Sequence, residues 1–341
     1  MRVNLLRLLS QGSEVILNKH STFITTYLFI GLIALAIVAL FIGRYHINID
    51  FEFLKSDTLF WQLLLRVRLP RVLLALLAGA GLAVSGLVMQ TVFHNPLAEA
   101  GIMGISQGAG FGAALGILAF GNQLIYVQAS SFFFSLAALA LTILLSNQIG
   151  QDKVLSLVLA GIAISALFSS GLGIIKYLAD PINELPGIVF WLLGSLSTSN
   201  WETLFRSCIF ILPILTFFFF YRWRLNIHSL DKHIAFSLGL KKSWETYLVL
   251  VGAVLLTAVI TSVSGIISWV GLIIPNFSRM IFGADTRTTM INTMILGGIF
   301  LVACDTFARA LLPGEIPLSI FTAFIGSGLF VMLMSRRKNH A

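Results

Sequence analysis

Residues 66–93 read Arg66-Val-Arg68-Leu-Pro-Arg71-Val-Leu-Leu-Ala75-Leu-Leu-Ala78-Gly79-Ala-Gly81-Leu-Ala-Val-Ser85-Gly86-Leu-Val-Met89-Gln90-Thr-Val-Phe93. From residue 72 to 93 there is no charged side chain, and as a helix such a run crosses the roughly 30 Å of hydrocarbon in a bilayer. Its small residues recur at spacings of three and four, the pattern that lets helix backbones approach closely where lipid removes the hydrophobic driving force. The run therefore predicts a membrane helix packed inside a bundle.

The rest of the chain extends that reading. Of 341 residues, 57% are hydrophobic and 11% charged, more apolar surface than a water-soluble core of this size could hide. Further spans read at 23–42, 102–120, 124–145, 154–175, 201–221, 246–263, 266–283, 291–311 and 316–335. The patch 187–196, after Pro186, is too short to cross and predicts a helix lying part-way into the bundle. The expected fold is all-α, a polytopic membrane protein of ten transmembrane helices in one permease-like domain over 1–341. A short polar segment, 1–22, precedes the first span.

Basic residues precede the first span (Arg2, Arg7, Lys19) and follow the last (Arg336, Arg337, Lys338). The positive-inside rule then places both termini in the cytoplasm, which requires an even number of crossings. With ten, Arg66, Arg68, Arg71 and Arg309 fall outside, against the rule. Their position predicts an acidic partner on that face, because complementary surface charge steers docking and fixes register. The first apolar run has no small-residue cleavage site and reads as a retained helix.

Composition also excludes classes. The net charge of +8 is spread a few residues per loop and not gathered in a stripe, which speaks for membrane orientation over nucleic acid. No Gly-x-x-x-x-Gly-Lys-Ser/Thr occurs, so any ATP is handled by another subunit. The six histidines never take metal spacing, and Cys208 and Cys304 sit in apolar spans as small hydrophobes. No catalytic residue, metal site or cofactor is expected. His228 and His233 read as solvated loop residues, and Asp305, four residues before Arg309, as one half of a helical ion pair.

Two segments invite a role. Gly101-Ile-Met-Gly104-Ile-Ser106-Gln-Gly108 leaves room for a broken helix lining a cavity. The longest cytoplasmic loop, 222–245, contains a short amphipathic helix closed by Gly239, with Ile234, Ala235 and Leu238 on one face; it reads as a docking knob or as a helix on the bilayer surface. An ATP-driven importer subunit and a stand-alone carrier or channel both fit a bundle of this kind. Midplane ionisable residues, which would favour the carrier, are not evident. A weak likeness between Val84-Ser-Gly86 and Val263-Ser-Gly265 hints at an internal repeat.

Arg68-Leu-Pro-Arg71, Met89-Gln90, Asn95-Pro-Leu-Ala98, Gly101 to Gly112, Ala235 to Gly239, Gly271-Leu-Ile-Ile-Pro275, Gly283-Ala-Asp-Thr-Arg287 and Glu315-Ile-Pro317 to Gly326 occur in an order that resembles the FecCD-type permease subunits of ABC importers for iron-siderophores, haem and vitamin B12. The resemblance covers nearly everything from residue 60 on. It implies the ten-helix protomer of type II ABC importers in the cell (inner) membrane, paired with a second copy of itself. ATP-binding cassette ATPase subunits would lie below and a soluble substrate-binding protein above. By the same resemblance Arg68, Arg71 and Arg309 dock the binding protein, and Ala235, Leu238 and Gly239 couple to the ATPase. Asn95, Pro96 and Leu97, with Gln90, belong to the cytoplasmic gate and pathway.

The sequence departs from the family's pattern at Asp231-Lys232, which stand where Gly-Glu is common, at Asn276 for His, at Ala100 for Pro, and at Gly326-Ser-Gly328 for Gly-Ala-Pro. The cargo implied is an iron chelate, with vitamin B12 and molybdate or tungstate as alternatives within the class.

Overall fold

The computed structural model describes residues 2–43, 58–150, 153–230, 232–239, 244–312 and 314–338. These are helical almost throughout, with no strand among them. In chain order the helices are α1 (Arg2–Phe41), α2 (Thr58–Gln62), α3 (Leu69–Phe93), α4 (Ile105–Phe120), α5 (Leu124–Ile149), α6 (Lys153–Leu178) and α7 (Leu185–Leu192). They continue with α8 (Trp201–His228), α9 (Lys232–Ser237), α10 (Trp244–Ser264), α11 (Val270–Phe282), α12 (Thr286–Ala310) and α13 (Leu318–Lys338). A π-helical turn, Leu63–Arg68, leads from α2 into α3, and a 3-10 turn, Ala100–Met103, precedes α4.

Helices lie on all ten segments expected to cross. Seven are long and apolar enough to do so by themselves, and three, Ile105–Phe120, Val270–Phe282 and Leu318–Leu333, are shorter. The patch after Pro186 forms the eight-residue α7, with the proline in its first turn, where a missing N–H costs nothing. Residues 2–41 form one helix, within which Thr22–Phe41 is apolar enough to cross, close to the expected 23–42. One expected boundary moves: the loop read as 222–245 narrows because α8 runs on to His228 and α10 begins at Trp244.

Helix α3 is the axle of the bundle, packing against α12, α10, α11 and α8. In the span that contains it, 78% of the most apolar window is buried, against 6% for α1, so α3 is interior and α1 peripheral. Its glycines explain the closeness. A Cβ on Gly79 would collide with the Gly297 carbonyl of α12, and one on Gly86 with the Gly271 carbonyl of α11. The phenylalanine runs divide by face: Phe133 and Phe220 point outward, while Phe218 is fully buried against Gly252.

The short helices mark where the backbone breaks inside the bundle. At 1.5 Å per residue, the 13 residues of α11 span about 20 Å, less than the hydrocarbon thickness. The chain between α10 and α11, Gly265 to Trp269, is thus drawn below the bundle's rim. Gly265 and Trp269 both have positive φ there (70° and 74°). Freed backbone groups find partners across elements, as an apolar medium demands. Ser195 N donates to Ser264 O (2.7 Å), Leu318 N to Gly194 O (2.9 Å) and Ser319 N to Leu193 O (3.2 Å), joining α7, α10 and α13 at one seam. Val263-Ser-Gly265 therefore lies at a break, whereas Val84-Ser-Gly86 lies mid-helix.

Candidate functional site

The residues singled out by sequence gather at opposite ends of the bundle. One end holds Arg68, Arg71 and Arg309; the other holds α9 and the turn after α3.

At the arginine end the expectation of an exposed guanidinium rim is corrected. Arg68, Arg71 and Arg309 are only 8%, 7% and 5% exposed. Arg71 makes two forked pairs. Its Nε and Nη2 donate to Asp305 Oδ1 (3.0 and 2.8 Å), and its Nη1 donates to Glu315 Oε1 (2.9 Å) with Nη2 to Oε2 (3.3 Å). Arg309 lies 3.5 Å from Asp305 Oδ2, as their four-residue spacing predicts, and donates to the Ala39 carbonyl. Arg68 Nη1 caps the end of α1 through Leu40 O (2.8 Å) and Phe41 O (3.1 Å). A charge count along the sequence registers three cations here but not that Asp305 and Glu315, from distant positions, converge on them. Of the cluster 66–71, Arg66 is the arginine exposed to the surroundings.

The turn after α3 starts at His94, whose left-handed backbone (φ 50°) ends the helix. Asn95 Oδ1 accepts from Leu97 N (2.9 Å), and Asn276 Nδ2 from α11 donates to Pro96 O (2.7 Å). Asn95 and Leu97 are exposed. Gln90 is not: it is buried against α11, where Pro275 has no N–H to give the Gly271 carbonyl four residues before it. Gln90 Nε2 fills that gap, donating to Gly271 O (3.2 Å) and Leu272 O (3.0 Å), while its Oε1 accepts from Arg279. It mends a proline-broken helix.

Beyond this turn Glu99 borders a polar cavity of about 270 Å³, with Ser85, Ser106, Gln107, Thr257 and Thr261 in its wall. The broken start of α4 forms one side, as its glycines led us to expect. The Glu99 carboxyl accepts no hydrogen bond from a described residue, and loss of solvent raises its pKa above the ordinary carboxylate value.

In the loop, α9 is followed by Leu238 and by Gly239 with φ 80°, the left-handed cap anticipated for it. The three apolar residues do not share a face. Ala235 is buried against Ile227 of α8, while Ile234 and Leu238 are 51% and 55% exposed. Asp231 lies outside the described residues. His228 is buried beside Tyr221, not solvated.

Residues not singled out from sequence build the base of the loop. Arg224 forks onto Glu245, Nε to Oε2 (2.7 Å) and Nη2 to Oε1 (2.8 Å), and its Nη2 also donates to Gly239 O (3.2 Å). Tyr221 OH donates to Glu245 Oε2 (3.0 Å). Asn226 Nδ2 donates to Asp285 Oδ1 (2.7 Å), and Asn226 Oδ1 accepts from Thr286 N (2.8 Å). Burial pulls the Asp285 carboxyl upward, but the hydrogen bonds from Asn226 and Arg287 outweigh it and hold the group below its usual range. No periodicity links positions 224, 239 and 245, so only their acid-base complementarity could have suggested the pairing.

Comparison with known proteins completes the picture. The model of the FecCD transport family matches residues 31–336. The molybdate import system permease protein MolB of Haemophilus influenzae is 40% identical over 316 residues, covering 90% of this chain and 94% of the relative. A probable iron chelatin transport system permease protein of Helicobacter pylori is 36% identical over 294 residues (86% and 89%). The hemin transport system permease protein HmuU of Yersinia pestis is 33% identical over 324 residues (91% and 96%). A solved structure described as an inward-facing metal-chelate type ABC transporter superimposes with a TM-score of 0.86 at 39% identity, covering 92% of this chain and 99% of that one.

Proposed function

The chain belongs to the FecCD transport family and is a multi-pass membrane permease of the ABC importer class, and from this premise we propose that it forms the pathway of an ATP-driven, binding-protein-dependent importer for an iron chelate, a siderophore complex or haem. The observation that carries the reading is α9. It is a small capped helix presenting Ile234 and Leu238 at the end opposite the arginines, tied through the Gly239 carbonyl to Arg224 of α8 and, through that arginine's pair with Glu245, to α10. That is the form of a part that receives force from a separate motor.

In this reading the chain crosses the membrane ten times with both termini and α9 in the cytoplasm, and pairs with a second copy. ATP-binding cassette subunits seat α9 through Leu238 and Gly239, with Ala235 as its inner foot. A loaded binding protein docks at the arginine end. Arg68, Arg71 and Arg309 form the rigid floor of that docking face, and Arg66 supplies outward charge. Closure of the ATPases then tilts the permease halves as rigid bodies about their shared axis, opening the pathway at the Asn95, Pro96 and Leu97 turn. No chemistry falls to the permease itself.

Molybdate is the second reading, supported by the relative of that name at 40% identity over nine-tenths of this chain. Proteoliposomes carrying the permease, its ATPase and the binding protein distinguish the two. Radiolabelled ferric siderophore or haem should accumulate only with ATP and binding protein together. Accumulation of molybdate alone would move the assignment to the second reading. Uptake by the permease without either partner would overturn both.

A further inference from the structure

A six-residue helix hung on two connectors transmits a push only if its backbone is tied to the helices it is meant to move; otherwise the connectors absorb the displacement. The start and the end of α9 are tied differently. Near its middle, Ala235 packs on Ile227 of α8. At its end Leu238 and Gly239 are exposed, and among the described residues neither joins a buried apolar cluster. One tie at the end is the Gly239 carbonyl, turned by the left-handed backbone toward Arg224.

Arg224 is itself held. Its Nε and one N–H of Nη2 fork onto the two oxygens of Glu245, a carboxylate whose side chain is 6% exposed in the first turn of α10, and Tyr221 OH donates to the same carboxylate. The second N–H of Nη2 is left for Gly239. A planar guanidinium can serve a carboxylate and a carbonyl at once in fixed directions, which the single nitrogen of a lysine cannot. Two residues further on, Asn226 joins the same stretch of α8 to Asp285 and Thr286 at the start of α12.

On the reading of α9 as the element that meets the ATPase, we propose that Arg224 is the positioning residue that locks the end of α9 to α8 and α10, so that a displacement of α9 moves these helices as one body. Arg224 touches neither substrate nor nucleotide. It acts through Gly239 and Glu245, and from α8 the movement passes to α12 through Asn226.

The test uses the complete importer in proteoliposomes and reads substrate molecules taken up per ATP hydrolysed. Arg224→Lys keeps a cation beside Glu245 but gives up the grip on Gly239. The pair Arg224→Met with Glu245→Gln removes both charges, so no carboxylate is left buried alone, and serves if the first variant does not fold. Either should lower the coupling ratio at least about fivefold, the lower end of ordinary coupling between sites. A dimeric permease that no longer retains its ATPase supports the proposal equally, since α9 would have lost its seat.

Wild-type coupling in both variants overturns it. Leu238→Asp tells this failure from failure of the underlying reading. If Leu238→Asp uncouples transport and the Arg224 variants do not, only the lock is wrong. If Leu238→Asp also leaves coupling intact, α9 is not the contact at all.

Discussion

Arg71 is held by two carboxylates and each of them depends on it, so its role in the fold precedes any role in docking. Asp305, with a side chain 2% exposed, would keep only the longer pair to Arg309, at 3.5 Å, if the guanidinium were removed. Arg71→Met should therefore cost about 3–5 kcal/mol, the usual penalty for one half of a buried pair. Thermal unfolding in detergent would show a lower midpoint, with partial recovery when Asp305→Asn is added.

Glu99 gives the opposite dependence on pH from a paired acid. Its pKa is raised by desolvation, so its contribution to stability is fully present below the ordinary carboxylate value and is lost as pH rises through the folded value. Glu99→Gln should thus be more stable than the wild type at neutral pH. The gap should close as the buffer is made acidic, and a gap that widens on acidification would contradict the desolvated carboxyl.

Glycine has two different uses in the helices. At Gly86 the α-carbon lies so near the Gly271 carbonyl that no side chain fits. Gly86→Ala forces α3 and α11 apart and should cost about 1–3 kcal/mol, as overpacking generally does. Gly31→Ala is the control: nothing lies within 4 Å of its added methyl, and its unfolding midpoint should stay put.

At Gly239, by contrast, the space is open and the positive φ is what matters. The cap was legible because glycine after an apolar helical run signals it. The inward turn of Ala235 was not. On a helix this short, three neighbouring apolar residues leave the buried face undetermined, and only the position of Ile227 on α8 settles it.

For the whole molecule, charge divides into what is spent inside and what is offered outside. Arg68, Arg71 and Arg309 against Asp305 and Glu315 leave a small positive balance behind the arginine end, and Arg66 stands in front of it. Arg66→Glu should slow association of the binding protein about two- to fivefold, within the range of a single exposed ion pair. The effect should fade at high salt, and dissociation and unfolding should change little. Stopped-flow association at two ionic strengths checks it. If the rate is unaltered while Arg71→Met still unfolds early, the acidic partner is met elsewhere.

The sequence by itself determined that this is an all-helical membrane bundle, where its long helices lie, and which family it belongs to. Those features depend on runs of apolar residues, on the spacing of small ones, and on short motifs met in order, all of them local along the chain. The tertiary structure alone decided which arginines are buried, why Gln90 is needed beside Pro275, and how α9 is fastened through Arg224 and Glu245. Each of these is a contact between residues far apart in the chain. Whether a polar group is exposed or paired depends on what the fold brings within about 3 Å of it, and no pattern within a single helix carries that information.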